Sequence, residues 1–123
     1  MKERVHHRLQ VWQESIELVK DVYEATSKFP REEMYGLISQ MRRAVVSVPS
    51  NIAEGAGRAG HSEFMRFLFI ARGSLSELET QIHLARELKL LRPSDTDVLA
   101  TRLEKVFSLL GGLIRSRRPK EDQ

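Results

Sequence analysis

The sequence predicts an all-α protein, an up-down-up-down four-helix bundle. Three observations carry that prediction. Apolar residues recur at steps of three and four along four separate stretches, the period of a helix face turned toward a core. Pro30, Pro93 and the glycines at 55, 57 and 60 fall at the ends of those stretches, where helices stop. The connections are short, and short connections favour antiparallel neighbours. At 123 residues the chain can form one domain with one core.

The first helix is expected from about Arg8 to Ser27. Leu9, Trp12, Ile16, Val19 and Tyr23 set its stripe, and Val11, Leu18, Val22 and Phe29 widen it. Pro30 ends it, because proline disfavours a helical residue before it. The second is expected from about Glu32 to Glu54. Leu37, Met41, Ala44, Val48, Asn51 and Gly55 are spaced 4, 3, 4, 3 and 4, a heptad seam flanked by Val45 and Ile52. Pro49 lacks an N–H and crowds the carbonyl of Val45, so a kink is expected there.

The third helix, from about Ser62 to Leu90, has the clearest period. Phe64, Leu68, Ala71, Leu75, Leu78, Ile82 and Ala85 are spaced 4, 3, 4, 3, 4 and 3. The fourth is expected to open at Ser94, with Asp97 as a short capping-box partner. Leu99, Leu103, Val106, Leu110 and Leu113 carry its stripe. Gly111 and Gly112 either allow a close helix approach or fray the end. The domain spans 1–118; the chain is expected to loosen from Arg115, with 119–123 a flexible tail.

Composition narrows the chemistry. With no cysteine there are no disulfides, thiolate nucleophiles or cysteine-ligated zinc. That suits a cytoplasmic protein. The opening MKERVHHRLQ lacks the apolar run of a signal peptide. No stretch approaches the roughly 20 apolar residues that span a bilayer, so no membrane partner is expected. The formal charge is +3 and the pI near 9.5, with Lys2, Arg4, Arg8, Arg115, Arg117, Arg118 and Lys120 at the two ends. Such an excess suits phosphate binding, and equally a solvated surface.

Several constellations carry possible chemistry. AVVSV at 44–48 has strand-like composition, and Gly55 to Gly60 reads G-x-G-x-x-G, as in a phosphate-cradling turn. PSNIAE separates the two, too long for that tight turn, and no second strand follows. The glycines are read as an inter-helix hairpin, with Arg58 and loop N–H groups left as a backbone-phosphate contact. His83 has Glu79 and Glu87 four residues to either side, a spacing that serves a metal or an ordinary surface pair. A di-metal bundle needs Glu-x-x-His on two helices, so no metal and no cofactor are assigned. No serine–histidine–acid arrangement emerges, and the protein is read as non-enzymatic.

Two polar stripes stand out. Ser39, Arg43, Ser47, Ser50 and Glu54 line one face of the second helix, and Arg66, Gly73, Ser74, Glu77 and Gln81 one face of the third. Small and polar faces suggest helices meeting something other than water. Arg43, Ser47, Asn51, Glu54, Ser74 and Glu77 are assigned to structure or to a subunit interface. Arg43 would pair with Glu77 or Glu54, within one chain or across a boundary. Asn51, on the seam, would fix register.

On these residues a family resemblance rests. The run Ser39-Gln40-Met41-Arg42-Arg43-Ala44, then Ser47 to Gly55, resembles the bacterial four-helix bundle family of 23S rRNA intervening-sequence proteins. Glu63-Phe64, Phe67-Leu68, Ala71 to Ser74 and Glu77 to Gln81 are similar to its third-helix signature. Val11-Trp12, Phe29-Pro30 and Tyr35-Gly36-Leu37 match its first helix and turn. The likeness covers about residues 9–91. It implies a ring-like homopentamer. It also implies kinship to the accessory variability determinant of diversity-generating retroelements, a basic pentameric barrel that binds nucleic acid and a reverse transcriptase. No established activity comes with it.

The expected function is therefore an oligomeric protein whose basic surface contacts RNA or DNA phosphates. Arg42, Arg58, Arg66, Arg72, Arg115, Arg117 and Arg118 are the candidates; Arg43 is the arginine most expected to be structural. The alternative is a pentameric scaffold whose partner is a protein, such as a reverse transcriptase.

Overall fold

In the computed structural model, which describes residues 1–118, four helices pack as an up-down bundle: α1 (Gln10–Thr26), α2 (Ser39–Ala56), α3 (His61–Glu87) and α4 (Pro93–Arg117). The expected tail at 119–123 lies outside the described residues. A short 3₁₀ turn, Val5–Arg8, precedes α1. The most extensive packing is α2 on α3; α1 packs on α2 and α4, and α3 on α4, closing the ring of neighbours.

The heptad seams of α2 and α3 are the core. Met41, Val45, Val48, Ile52, Leu68, Ala71, Leu75 and Leu78 are fully buried. AVVSV is helical within α2, as the seam requires. Asn51 is half-buried, and its amide donates to the Ser47 carbonyl at 2.8 Å and to Ser47 Oγ at 2.9 Å. Ser47 Oγ lies 2.8 Å from Ser74 Oγ. The expected register asparagine thus joins the one side-chain polar bridge between α2 and α3 among the described residues, which ties together three of the residues assigned to structure, Ser47, Asn51 and Ser74.

The first helix turns its face differently from expectation. Val11, Ser15, Leu18, Val22, Ala25 and Thr26 are its buried positions, with Phe29 beyond its end. Trp12, Ile16 and Val19 are half-buried, and Tyr23 is exposed. Residues expected to widen the stripe are its centre. Ser15 hid that centre from an apolar count; its hydroxyl donates to the Trp12 carbonyl at 2.7 Å, which lets it enter the core. Thr26 does the same toward Val22, at 2.7 Å.

Helix ends differ from expectation in four places. Residues 32–38 are not the start of α2. A 3₁₀ turn, Arg31–Glu33, and a wider turn, Met34–Ile38, intervene, with Gly36 at φ −108° and ψ −112°. α2 itself runs unbroken through buried Pro49. α3 stops at Glu87 because Lys89 takes φ 60°. Lys89 N–H then donates to the Arg86 carbonyl at 3.0 Å and Leu90 N–H to Ala85 at 2.8 Å, a Schellman cap. α4 opens with Pro93, not with a Ser94 cap; proline at the first helical position loses only an N–H that would be orphaned anyway. α4 also continues through Gly111 and Gly112 to Arg117, so Arg115–Arg117 are helical rather than loose. Ile114, not Leu113, is the buried residue of that last turn.

An ionic network ties α1 to α4. Arg102 Nη1 donates to Glu14 at 2.9 Å and Arg102 Nε to Asp21 at 3.0 Å, and Lys105 Nζ reaches Glu14 at 2.9 Å. The hydrogen bonds from Lys105 and then Arg102 hold the Glu14 carboxyl below its ordinary range.

Candidate nucleic-acid interface

The up-down order decides where the charges go. It brings residues 1–10, the α2–α3 hairpin and the last turns of α4 to one end of the bundle. Within 1–10, 54–66 and 111–118 lie Lys2, Arg4, Arg8, Arg58, Arg66, Arg115, Arg117 and Arg118, against Glu3, Glu54 and Glu63. In the other described residues, acidic and basic side chains nearly balance. A modest excess over the whole chain is therefore a concentrated one at a single end. His6 adds little: burial, then His7 and Arg4, push it below the usual imidazole range, so it is neutral at pH 7.

The arginines at this end are held in distinct ways. Arg58 donates to Glu54 at 2.8 Å, one helical turn away. Arg66 donates to Glu63 at 3.0 Å. Both guanidinium groups also stand over the Phe67 ring, at 5.3 and 4.8 Å. Such sharing fixes each head while leaving further donors of the five-donor fork open. Arg115, Arg117 and Arg118 form no ion pair among the described residues. Arg115 folds back toward Gly111, whose missing side chain leaves it room. Arg117 stands 5.5 Å above the Phe64 ring. All three are exposed.

Two candidates fall elsewhere. Arg42 Nε donates to Thr26 Oγ1 at 3.0 Å and its Nη2 to the Tyr23 carbonyl at 3.3 Å, with the guanidinium 4.4 Å over the Tyr23 ring. It fastens α2 to the end of α1. Arg72 lies over Phe69 at 4.8 Å, on the outer side of α3. Neither joins the basic end. Arg43, expected to be structural, is exposed; its bond is a 3.4 Å contact to Ser39 Oγ. Among the described residues it pairs with neither Glu77 nor Glu54, and Glu54 is taken by Arg58.

Near the Ser47–Ser74–Asn51 bridge Val46 and Ile70 are exposed, and by helical spacing Leu84 and Leu88, also exposed, continue the same side of α3 toward its end. Gly73 sits on this face, and a methyl group there would meet nothing within 4 Å. Gln81, at 6% exposure, has no hydrogen-bond partner for Oε1 among the described residues. His83, weighed as a metal ligand, is an exposed side chain 3.9 Å from Glu87 and 3.3 Å from Arg86. Among the described residues no three His, Asp or Glu side chains gather around one point.

Sequence reasoning found the terminal arginines and missed what surrounds them. A cleft of ≈ 320 Å³ at the basic end is lined by Val5, Leu9, Gly55, Ala56, Arg58, Gly60, His61, Phe64 and Arg117. Its walls come from three separate chain segments, 5–9, 55–64 and the end of α4, which no local pattern connects. No helix among the described residues is long and apolar enough to cross a membrane.

The fold and this basic end define a class: a small antiparallel four-helix bundle with its basic side chains gathered at one end. Residues 7–112 match the family described as 23S rRNA-intervening sequence protein, and the chain belongs to that family. It is similar in fold to a solved protein of unknown function from the S23 ribosomal protein family of Bacteroides thetaiotaomicron. That likeness has a TM-score of 0.76 at 18% identity, over 85% of this chain and 98% of the other. No curated protein matches the chain.

Proposed function

We propose that this is a non-enzymatic, cytoplasmic protein that binds the phosphate backbone of RNA or DNA through the basic end of its bundle. The observation that carries the reading is the gathering of eight lysine and arginine side chains, against three glutamates, at one end. Arg58, Arg66, Arg115, Arg117 and Arg118 are the contacting residues; Arg42 holds the fold. Contacts of this kind are independent of sequence and weaken with salt. A gel-shift assay tests it: RNA is retained at low salt and released at moderate salt. No retention at low salt rejects it.

The same reading includes self-association, as the resemblance to pentameric relatives implies. What supports it is the outer α2/α3 face, where Val46 and Ile70 are exposed near the polar bridge and Leu84 and Leu88 are exposed farther along α3. Arg43 and Glu77, without ionic partners in the chain among the described residues, would pair there between subunits. A five-fold ring would set five basic ends around one axis, multiplying weak phosphate contacts. The same face also favours a second reading, a pentameric scaffold for a protein partner. Recovery of one protein partner after nuclease treatment, with no RNA shift, would favour that alternative. Mass in solution tests the ring; a monomer rejects it.

A further inference from the structure

The cleft at the basic end has a composition that a bare phosphate does not require. One part of its lining is apolar, from Val5, Leu9 and the half-buried ring of Phe64. Another is cationic, from Arg58 and Arg117. Gly55 and Gly60 also line it. At ≈ 320 Å³ it sits at the small end of ligand sites. An inorganic anion would leave the apolar wall unfilled. A purely apolar ligand would strand two guanidinium groups. A flat heterocycle joined to one phosphate satisfies both parts: aromatic rings take bases on their faces, and guanidinium forks take phosphate oxygens.

We infer that this cleft seats one nucleoside monophosphate unit, its phosphate held by Arg58 and by Arg117, which leaves its place over the Phe64 ring, and its base taking that place against Phe64 and Leu9. The inference rests on the reading of the basic end as a phosphate-binding surface, and narrows it to one pocket. Arg117 is the poised donor: it stands 5.5 Å over Phe64 and has no acidic partner among the described residues. Arg58 is already oriented by Glu54 at 2.8 Å. The unit has two sources, a free nucleotide or the phosphorylated end of a strand.

Calorimetric titration of the full chain tests this with adenosine monophosphate, adenosine and inorganic phosphate. The monophosphate is expected to bind about tenfold or more tightly than either part alone. Arg117→Gln, at an exposed helix end, and Phe64→Leu, which keeps bulk and removes the flat ring, each weaken it about fivefold or more. Arg72→Gln leaves it unchanged. A short RNA with a 5′-phosphate is compared with its 5′-hydroxyl form; preference for the phosphorylated strand over the free nucleotide names the strand end as source. Equal or tighter binding of the free nucleotide names the nucleotide. Phosphate binding as tightly as the monophosphate, or Arg117→Gln binding like the parent, overturns the inference. So does an absence of nucleotide and 5′-phosphate binding; if long RNA is still retained, the basic-end reading survives, and if it is not, both fall.

Discussion

Replacing Gly55 and Gly73 by alanine, one at a time, separates two glycines that look alike in sequence. A Cβ at Gly55 would stand 2.7 Å from Phe67 Cβ, 3.1 Å from Phe64 Cδ1 and 3.3 Å from the Phe64 carbonyl. Two of those three atoms are fixed to the backbone of α3 and its first side-chain carbon, so rotation cannot relieve the clash. The helices must part at the hairpin end of the most extensively packed pair, α2 on α3. Overpacking of this kind costs about 1–3 kcal/mol, and the helical preference of alanine over glycine returns at most about 1 kcal/mol. The 2.7 Å contact puts this site in the upper half of that cost, so Gly55→Ala should lose roughly 1–2 kcal/mol net. Gly73 lies mid-α3 with open space around it, so Gly73→Ala should gain about 1 kcal/mol. Urea denaturation followed by circular dichroism, at one protein concentration, reads both as midpoint shifts at unchanged slope. A Gly55→Ala midpoint equal to the parent's would refute the reasoning. So would a destabilised Gly73→Ala of unchanged oligomeric mass. Loss of oligomeric mass in Gly73→Ala would instead place that residue in a subunit contact.

Three further outcomes are expected. Arg102→Met should cost about 1 kcal/mol, discounted because 31% of the side chain stays in solvent. Glu14 lies below its ordinary 4.5 in the folded chain, so its contribution is whole above that pH and is lost as pH falls through the lower folded value; acid titration of stability should be shallower in Arg102→Met, and an unchanged acid limb would contradict the network. Lys89→Gly should raise stability by roughly 1 kcal/mol, since φ 60° costs a side-chain-bearing residue what it does not cost glycine; a loss in thermal midpoint would contradict it. In Ser47→Ala and Ser74→Ala, a double-mutant cycle should give a coupling of about 1 kcal/mol for the 2.8 Å bond, and additive singles would deny it.

Much of the bundle was legible because α2 and α3 bury one face each, their seams broken inside α2 only by half-buried Asn51. α1 was less so. Ser15 occupies a core position through a local hydrogen bond, and the more apolar Trp12–Tyr23 side attracted the period instead. The end of α3 gave no glycine or asparagine signal, because Lys89 adopts the left-handed conformation itself. Of the candidate arginines, spacing could not tell Arg42 from Arg117. One is folded against Thr26 and Tyr23 and the other left open over Phe64, and that distinction depends on helices distant in the chain.

The claim that matters most is that charge gathered at one end of the bundle makes the phosphate contacts. The slope of log affinity against log salt for a single-stranded RNA measures it. In a variant with Arg115, Arg117 and Arg118 all changed to glutamine, that slope should shrink by roughly 2, at about 0.7 per lost phosphate contact, while Arg72→Gln keeps the parent slope. A triple variant with the parent's slope, or a loss confined to Arg72→Gln, would place the nucleic acid elsewhere and contradict the account.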